Sequence, residues 1–256
     1  MTVAAEPSPG IIERIRQNEA LKLALAPLGL SVLVVLTLVL IGSVDPDTIA
    51  GRALQTEKIR IQFVDHITLT LWSTLIVLLV AIPLGVFLTR PRFARWEGPV
   101  LAVANSGQAF PAYGLLVIFL TWFGSGAATA IWALAFYAIL PVLRNTIVGI
   151  QQVDRDIIEA GRGMGMTKRQ ALLRIELPLA VPVMIAGVRT ALIINVGMAA
   201  LAFLIGAGGL GETINTGLKL QRDVLIVAGA SMVAVLALGV DWVAAMLYRV
   251  LRPKGL

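Results

Sequence analysis

Few residues in this chain have the types and spacing that covalent chemistry needs. There is one histidine, His66, and no cysteine. No thiolate nucleophile, disulfide framework or thiolate metal site is available, and a single imidazole cannot support a Ser/His/Asp set. Neither H-E-x-x-H nor the phosphate loop G-x-x-x-x-G-K-[ST] occurs. Gly206-Ala207-Gly208-Gly209-Leu210-Gly211 satisfies G-x-G-x-x-G. It follows a long apolar run, not a short strand, and no acid stands about twenty residues on to meet a ribose. A tight turn between two closely approaching helices accounts for it instead. Asp45 and Asp47 flank Pro46 in a turn-forming Asp-Pro-Asp. The chain reads as a non-enzyme with no metal ligand set.

What remains is mechanical. Glu159-Ala160-Gly161-Arg162-Gly163-Met164-Gly165 is followed, after nine residues, by Ile175-Glu176-Leu177-Pro178. Together they lie in a polar segment, 151–178, far longer than the usual helix–helix connection. We expect two short helices here. Asp156 is placed to cap the first, with Glu159 three residues on. Gly165 suits a left-handed stop. Thr167 is placed to cap the second, with Gln170 at the matching third position, and Pro178 to end it. Two capped helices about a glycine turn make a rigid knob, and a knob transmits force where a floppy loop does not.

The elements that must carry this knob are apolar. Hydrophobic residues make up 58% of the chain and charged residues 14%, at a mean hydropathy of +0.88. So few charges cannot cover a water-facing surface, and an all-α integral membrane protein is expected. Six runs each exceed the ~20 residues that cross a hydrocarbon core: 23–44, 67–89, 99–123, 127–150, 179–205 and 224–248. The third is interrupted by Asn105-Ser106-Gly107-Gln108 and Pro111. Segment 45–66 is expected to lie along the outer interface as a short amphipathic helix. Residues 1–22 form a tail, helical from Ile11, with no signal-peptide cleavage site after the first run.

Basic residues orient the chain. With the N-terminus inside, fourteen Lys and Arg fall on the inner side, five on the outer side, and Arg144 and Arg189 within spans. That bias places both termini and the polar loop in the cytoplasm. The net charge of +6 is topology, since the basic residues are scattered over short loops with no aromatic interleaving, and no nucleic-acid partner is expected.

Polar residues inside the spans are the remaining functional candidates. Asn105, Ser106, Gln108, Pro111 and Tyr113 are expected to break the third span near its middle, either lining a translocation pathway or packing as a satisfied kink. Asn145 and Asn195 are further pathway candidates; an interhelical hydrogen bond is the structural alternative for Asn195. Asp241, Arg189 and Arg144 lie at similar depth, and an unpaired charge there is costly. Asp241 is therefore expected to pair with one of the two arginines. A proton or cation relay is the alternative. His66, at a helix entrance, and Met164, Met166, Met184 and Met198 read as structural.

The pattern E-A-x-x-x-x-G-x₉-I-x-L-P resembles the cytoplasmic "EAA" loop of bacterial ABC importer permeases. Gly161 stands where that family usually has Ala. From about Asp65 to Arg249 the chain is similar to the osmoprotectant branch, through Gln108-Ala109-Phe110-Pro111, Leu140-Pro141-Val142-Leu143-Arg144-Asn145-Thr146, Glu159-to-Met166 and Ile205-to-Gly211. That branch usually reads Gln-Thr-Ile-Pro-Ser where this chain has Gln108-Ala109-Phe110-Pro111-Ala112. The resemblance implies a type I ABC importer permease fold of about six spans. The permease core would cover 65–249, after an added N-terminal span and outer segment, 23–64, and before a tail, 250–256. It implies that Glu159, Ala160, Gly161, Gly165 and Met166 couple the permease to an ATPase, which alone binds ATP and Mg, so this chain carries no cofactor. A second permease copy or a paralogue, an extracytoplasmic solute-binding protein and the bacterial cytoplasmic (inner) membrane complete the expected setting. The solutes implied are glycine betaine, choline and related quaternary ammonium compounds. A methionine-type importer and an ATP-independent secondary transporter or channel are the alternatives.

Overall fold

The computed structural model describes residues 19–251, all of it helix, turn and loop with no strand among the described residues. The N-terminal tail, with its expected helix from Ile11, and the last residues of the C-terminal tail lie largely outside them. The helices are α1 Glu19–Gly42, α2 Ile49–Ala53, α3 Thr56–Leu88, α4 Glu97–Ala109, α5 Ala112–Phe123 and α6 Ala127–Gln151. They continue with α7 Arg155–Gly163, α8 Lys168–Ala171, α9 Leu177–Ala199, α10 Gly211–Leu220 and α11 Asp223–Leu251.

Four of these elements are long and apolar enough to cross a bilayer: α3, α6, α11 and the continuous helix of α8 and α9. The pair α4 and α5, bent by 103°, makes a fifth if taken as one broken span. The expected six spans are thus five spanning elements and a sixth helix, α1. Helix α1 is 24 residues long and is apolar over Pro27–Gly42.

Helix α6 stands at the centre, with α3, α4, α5 and α9 against it. Its Ala130, Ala133, Leu134, Ala138, Val142 and Leu143 are buried. In lipid there is little hydrophobic gain from joining two apolar helices, so close backbone approach must supply the attraction. Small residues allow it here. A Cβ added at Gly85 would meet Thr146 at 2.7 Å, at Gly149 the Ala180 carbonyl at 3.1 Å, and at Gly187 the Pro141 carbonyl at 2.6 Å. Large apolar side chains such as Leu38, Leu71, Trp72, Leu79 and Trp132 point outward. That would be an aggregation hazard in water, and it is what a bilayer solvates.

Three local expectations change. Segment 45–66 is not one interfacial helix: α2 has five residues and α3 already begins at Thr56, so Ile59, Ile61 and Phe63 belong to a 33-residue helix. The third span does not unwind at Asn105–Gln108. Those residues are the last turns of α4, and the break falls at Phe110 and Pro111. The ring of Pro111 disfavours helical backbone at the residue before it, and Phe110 is extended at φ −75°, ψ 143°. Pro178 does not stop the second loop helix. A π turn, Leu172–Glu176, precedes it, and Leu177 N–H bonds Leu172 O. That turn has already shifted the hydrogen-bond register by one residue, so the N–H that proline lacks is not needed for a regular α ladder.

Candidate coupling loop and polar span residues

The connection from α6 to α9 is built as two short helices around a glycine turn. Asp154, not the expected Asp156, caps α7: its Oδ1 accepts the Asp156 N–H at 2.9 Å. Asp156 is therefore already in the first turn, where its charge favours the helix N-terminus. At the far end Gly165 N–H bonds Arg162 O at 3.0 Å and Met166 N–H bonds Gly161 O at 3.2 Å. These are the paired bonds of a Schellman motif. They need a left-handed residue at Gly165, whose φ is +90°. Thr167 then caps α8 by a reciprocal box. Thr167 Oγ1 accepts Gln170 N–H at 3.3 Å and Gln170 Oε1 accepts Thr167 N–H at 2.8 Å.

The first helix packs closely against the π turn that follows the second. Gly161 is buried, and a Cβ there would stand 2.4 Å from Ile175 Cδ1 and 3.3 Å from Met166 Sδ. Gly161 thus leaves the space that Ile175 fills. The outer face of the knob presents Glu159 and Ala160, both exposed, and the apolar Ile157, Met164 and Leu173, exposed by 47%, 76% and 52%. Arg155, Arg162, Lys168, Arg169 and Arg174 of the same segment are exposed as well. Exposed apolar side chains among basic ones are the composition that suits a protein partner.

The intramembrane polar residues are spread over α4, the start of α5, α6, α9 and α11. Asn105, Ser106, Pro111 and Tyr113 are exposed on α4 and the start of α5, with Phe110 between them at 44% exposure. Ser106 donates to Val103 O at 2.7 Å, and Gln108 Nε2 reaches Tyr137 O at 3.3 Å. Asn145 turns back on its own helix, donating to Pro141 O at 2.8 Å. Asn195 is fully buried between α9 and α3, its Nδ2 donating to Thr74 Oγ1 at 3.0 Å. That geometry ties two helices together. Arg189 pairs with Asp241, Nη2 to Oδ1 at 2.7 Å. Arg144 is exposed on α6 and takes no part in that pair.

Two polar clusters were not foreseen. Buried His66 uses both ring nitrogens: Nδ1 accepts Leu210 N–H at 3.3 Å, so Nε2 carries the proton donated to Val196 O at 2.9 Å. Beside it, Thr213 Oγ1 donates to Gln62 Oε1 at 2.6 Å. These bonds pin α3 to the glycine-rich loop, where Gly206, Gly208 and Gly209 have φ of +74°, +76° and +101°. A Cβ at Gly211 would fall 1.7 Å from Ala200 O, so the loop is a close-approach turn, as expected. The second cluster is Arg90 with Glu176, joined at the base of the knob. No spacing rule links residues 86 apart in the chain.

Residues 81–253 match the family model described as binding-protein-dependent transport system inner membrane component. The chain belongs to that family. Over 192 residues it is 43% identical to the choline transport system permease protein OpuBB of Bacillus subtilis, covering 75% of this chain and 88% of the relative. The glycine betaine/carnitine/choline transport system permease protein OpuCB of the same organism is 41% identical over 192 residues, with the same coverage. The osmoprotectant import permease protein OsmY of Salmonella typhimurium is 41% identical over 188 residues, 73% of this chain and 80% of the relative. Among solved structures, an inward-facing MetNI methionine ABC transporter chain superposes with a TM-score of 0.68 at 23% identity, covering 77% of this chain and 97% of that one. That likeness establishes the ABC importer permease fold. As a family member, the chain is a multi-pass transport permease, and the knob between α6 and α9 lies within the matched residues.

Proposed function

We propose that this chain is the membrane-spanning permease subunit of an ATP-driven, binding-protein-dependent importer. Its cargo is an osmoprotectant: choline, glycine betaine, carnitine or a related quaternary ammonium compound. The observation that carries the reading is the 43% identity to a choline permease over 75% of the chain. Hydrolysis of ATP belongs to a separate ATPase that docks on the knob of α7 and α8. Two permeases, identical or paralogous, pair across the membrane, and a solute-binding protein delivers cargo at the end opposite the knob. The excess of basic residues in the inner loops supports a knob and both termini in the cytoplasm of a bacterial cell, with the spans in its cytoplasmic membrane.

An ion-coupled carrier usually has a buried acid free to exchange its counter-ion. Asp241 is engaged by Arg189, which favours a structural tie over a relay. The methionine alternative has only a fold likeness at 23% identity behind it. Proteoliposomes containing this chain, its ATPase and its binding protein test the reading. Uptake of labelled choline or glycine betaine should require ATP and persist after ionophores collapse the ion gradients. Uptake by this chain alone under a sodium or proton gradient would overturn it, and uptake of methionine in place of quaternary ammonium solutes would overturn the substrate assignment.

A further inference from the structure

The knob is joined to the membrane core by a side-chain fork. Glu176 closes the π turn at the base of the knob, and its side chain is 9% exposed. Arg90, two residues past the end of α3, reaches it with Nη2 to Oε2 at 2.5 Å and Nη1 to Oε1 at 3.3 Å. The guanidinium is held from its other side as well: Nη2 and Nε donate to Thr89 Oγ1 at 2.9 and 3.2 Å. Thr89 Oγ1 in turn donates to Val86 O at 2.8 Å. A two-pronged guanidinium–carboxylate contact resists rotation as well as separation, which a single ammonium contact does not.

Both partners stand where movement has to pass. The π turn is a local change of helical register, a feature that recurs at functional sites. It lies between the knob and α9. Helix α3 is continuous for 33 residues, a rod of ~50 Å. Its other end is pinned through Gln62 and His66 to Thr213 and Leu210 of the glycine-rich region. One continuous helix, with Pro83 inside it, is thus tied just past one end to the base of the knob and near the other end to the glycine-rich region.

We propose that Arg90 and Glu176 are positioning residues: their fork passes displacement of the knob into α3, and through α3 to the glycine-rich loop at the opposite face. The proposal rests on the reading of the knob as the ATPase-docking part. A passive tether predicts something different. Neutralising both partners of a largely buried ion pair is often close to neutral for stability, whereas removing one partner strands a charge. The doubly neutral variant therefore separates transmission from folding.

The test uses the assembled transporter in proteoliposomes, with Arg90→Gln/Glu176→Gln, the reversed pair Arg90→Glu/Glu176→Arg, and Gly165→Val in parallel. The neutral double variant should insert, retain its ATPase and its melting temperature, and hydrolyse ATP without solute as before. Solute-stimulated hydrolysis and uptake per ATP should fall by about tenfold, an ordinary size for coupling between sites. The reversed pair should recover most of the loss. Wild-type uptake per ATP in the neutral double variant overturns the proposal, and so does a loss matched by failed assembly or a lowered melting temperature. If Gly165→Val also leaves coupling intact, the docking reading itself fails. If Gly165→Val abolishes coupling while the double variant is normal, only the joint is refuted.

Discussion

Arg189 on α9 and Asp241 on α11 meet across the helix interface, with Nε and Nη2 donating to the same carboxylate oxygen at 3.0 and 2.7 Å. The two side chains keep 37% and 32% exposure in the single chain. They sit within spans, where the alternative to pairing is a charge facing lipid. The pair binds α11 to the central packing of α6, α3 and α9. Asp241→Asn and Arg189→Gln should each lower the melting temperature of the detergent-solubilised chain. Combined, they should cost less than the sum of the single changes, with a coupling of ~0.5–3 kcal/mol. Strict additivity would show that the two groups do not depend on each other.

Gly165 is the one residue in the knob with a left-handed backbone, at φ +90°. A β-branched side chain is strained there, and the Schellman bonds to Arg162 O and Gly161 O would be lost. Gly165→Val should insert normally, since no bilayer contact changes. It should collapse solute-stimulated ATP hydrolysis. Normal stimulation in a well-expressed Gly165→Val complex would count against the knob as a coupling part.

Gly161 and Ile175 are complementary in volume. Gly161→Ala adds a Cβ 2.4 Å from Ile175 Cδ1, the far end of a flexible side chain. The expected cost is ~1 kcal/mol, the lower end for overpacking. Ile175→Val in the same chain removes the clashing methyl and should restore the melting temperature. If Ile175→Val gives no relief, the contact does not govern the fit of α7 on the π turn.

Much of this was legible in the sequence because it depends on local chemistry. Apolar runs, the left-handed requirement at Gly165 and the Thr167–Gln170 box are properties of a few neighbouring residues. The Arg189–Asp241 pair was legible for another reason: depth in a bilayer restricts where two buried charges can lie. Local rules also misled. Asp154 and Asp156 are equally good caps on paper, and geometry chose Asp154. Pro178 stops an α ladder, but here a π turn precedes it and the helix runs on. Asn105 to Gln108 looked like a break because polar residues interrupt an apolar run, yet only Pro111 has the backbone constraint to make one. The Arg90–Glu176 fork and the bonds of His66 and Gln62 join positions far apart in the chain. Nothing local announces such contacts, since they arise from how α3 lies beside α9 and the glycine-rich loop.

The bend between α4 and α5 is the place to test cargo selection. Phe110 and Tyr113 are exposed there, by 44% and 54%, and an exposed aromatic ring can hold a quaternary ammonium group by cation–π attraction. The osmoprotectant branch that the chain resembles usually carries Thr, Ile and Ser at the positions of Ala109, Phe110 and Ala112. If the bend lines the path, converting the three residues to that pattern adds two hydroxyls and removes one ring where solute passes. The triple variant should keep its ATPase and its ATP-driven turnover. The ratio of choline to glycine betaine uptake should shift by about tenfold, since pocket changes of one or two small groups are worth roughly 1–3 kcal/mol in discrimination. Initial uptake rates for the two solutes in the same proteoliposomes give the ratio directly. A ratio equal to that of the wild type would remove the bend from the pathway and leave it as a packed kink.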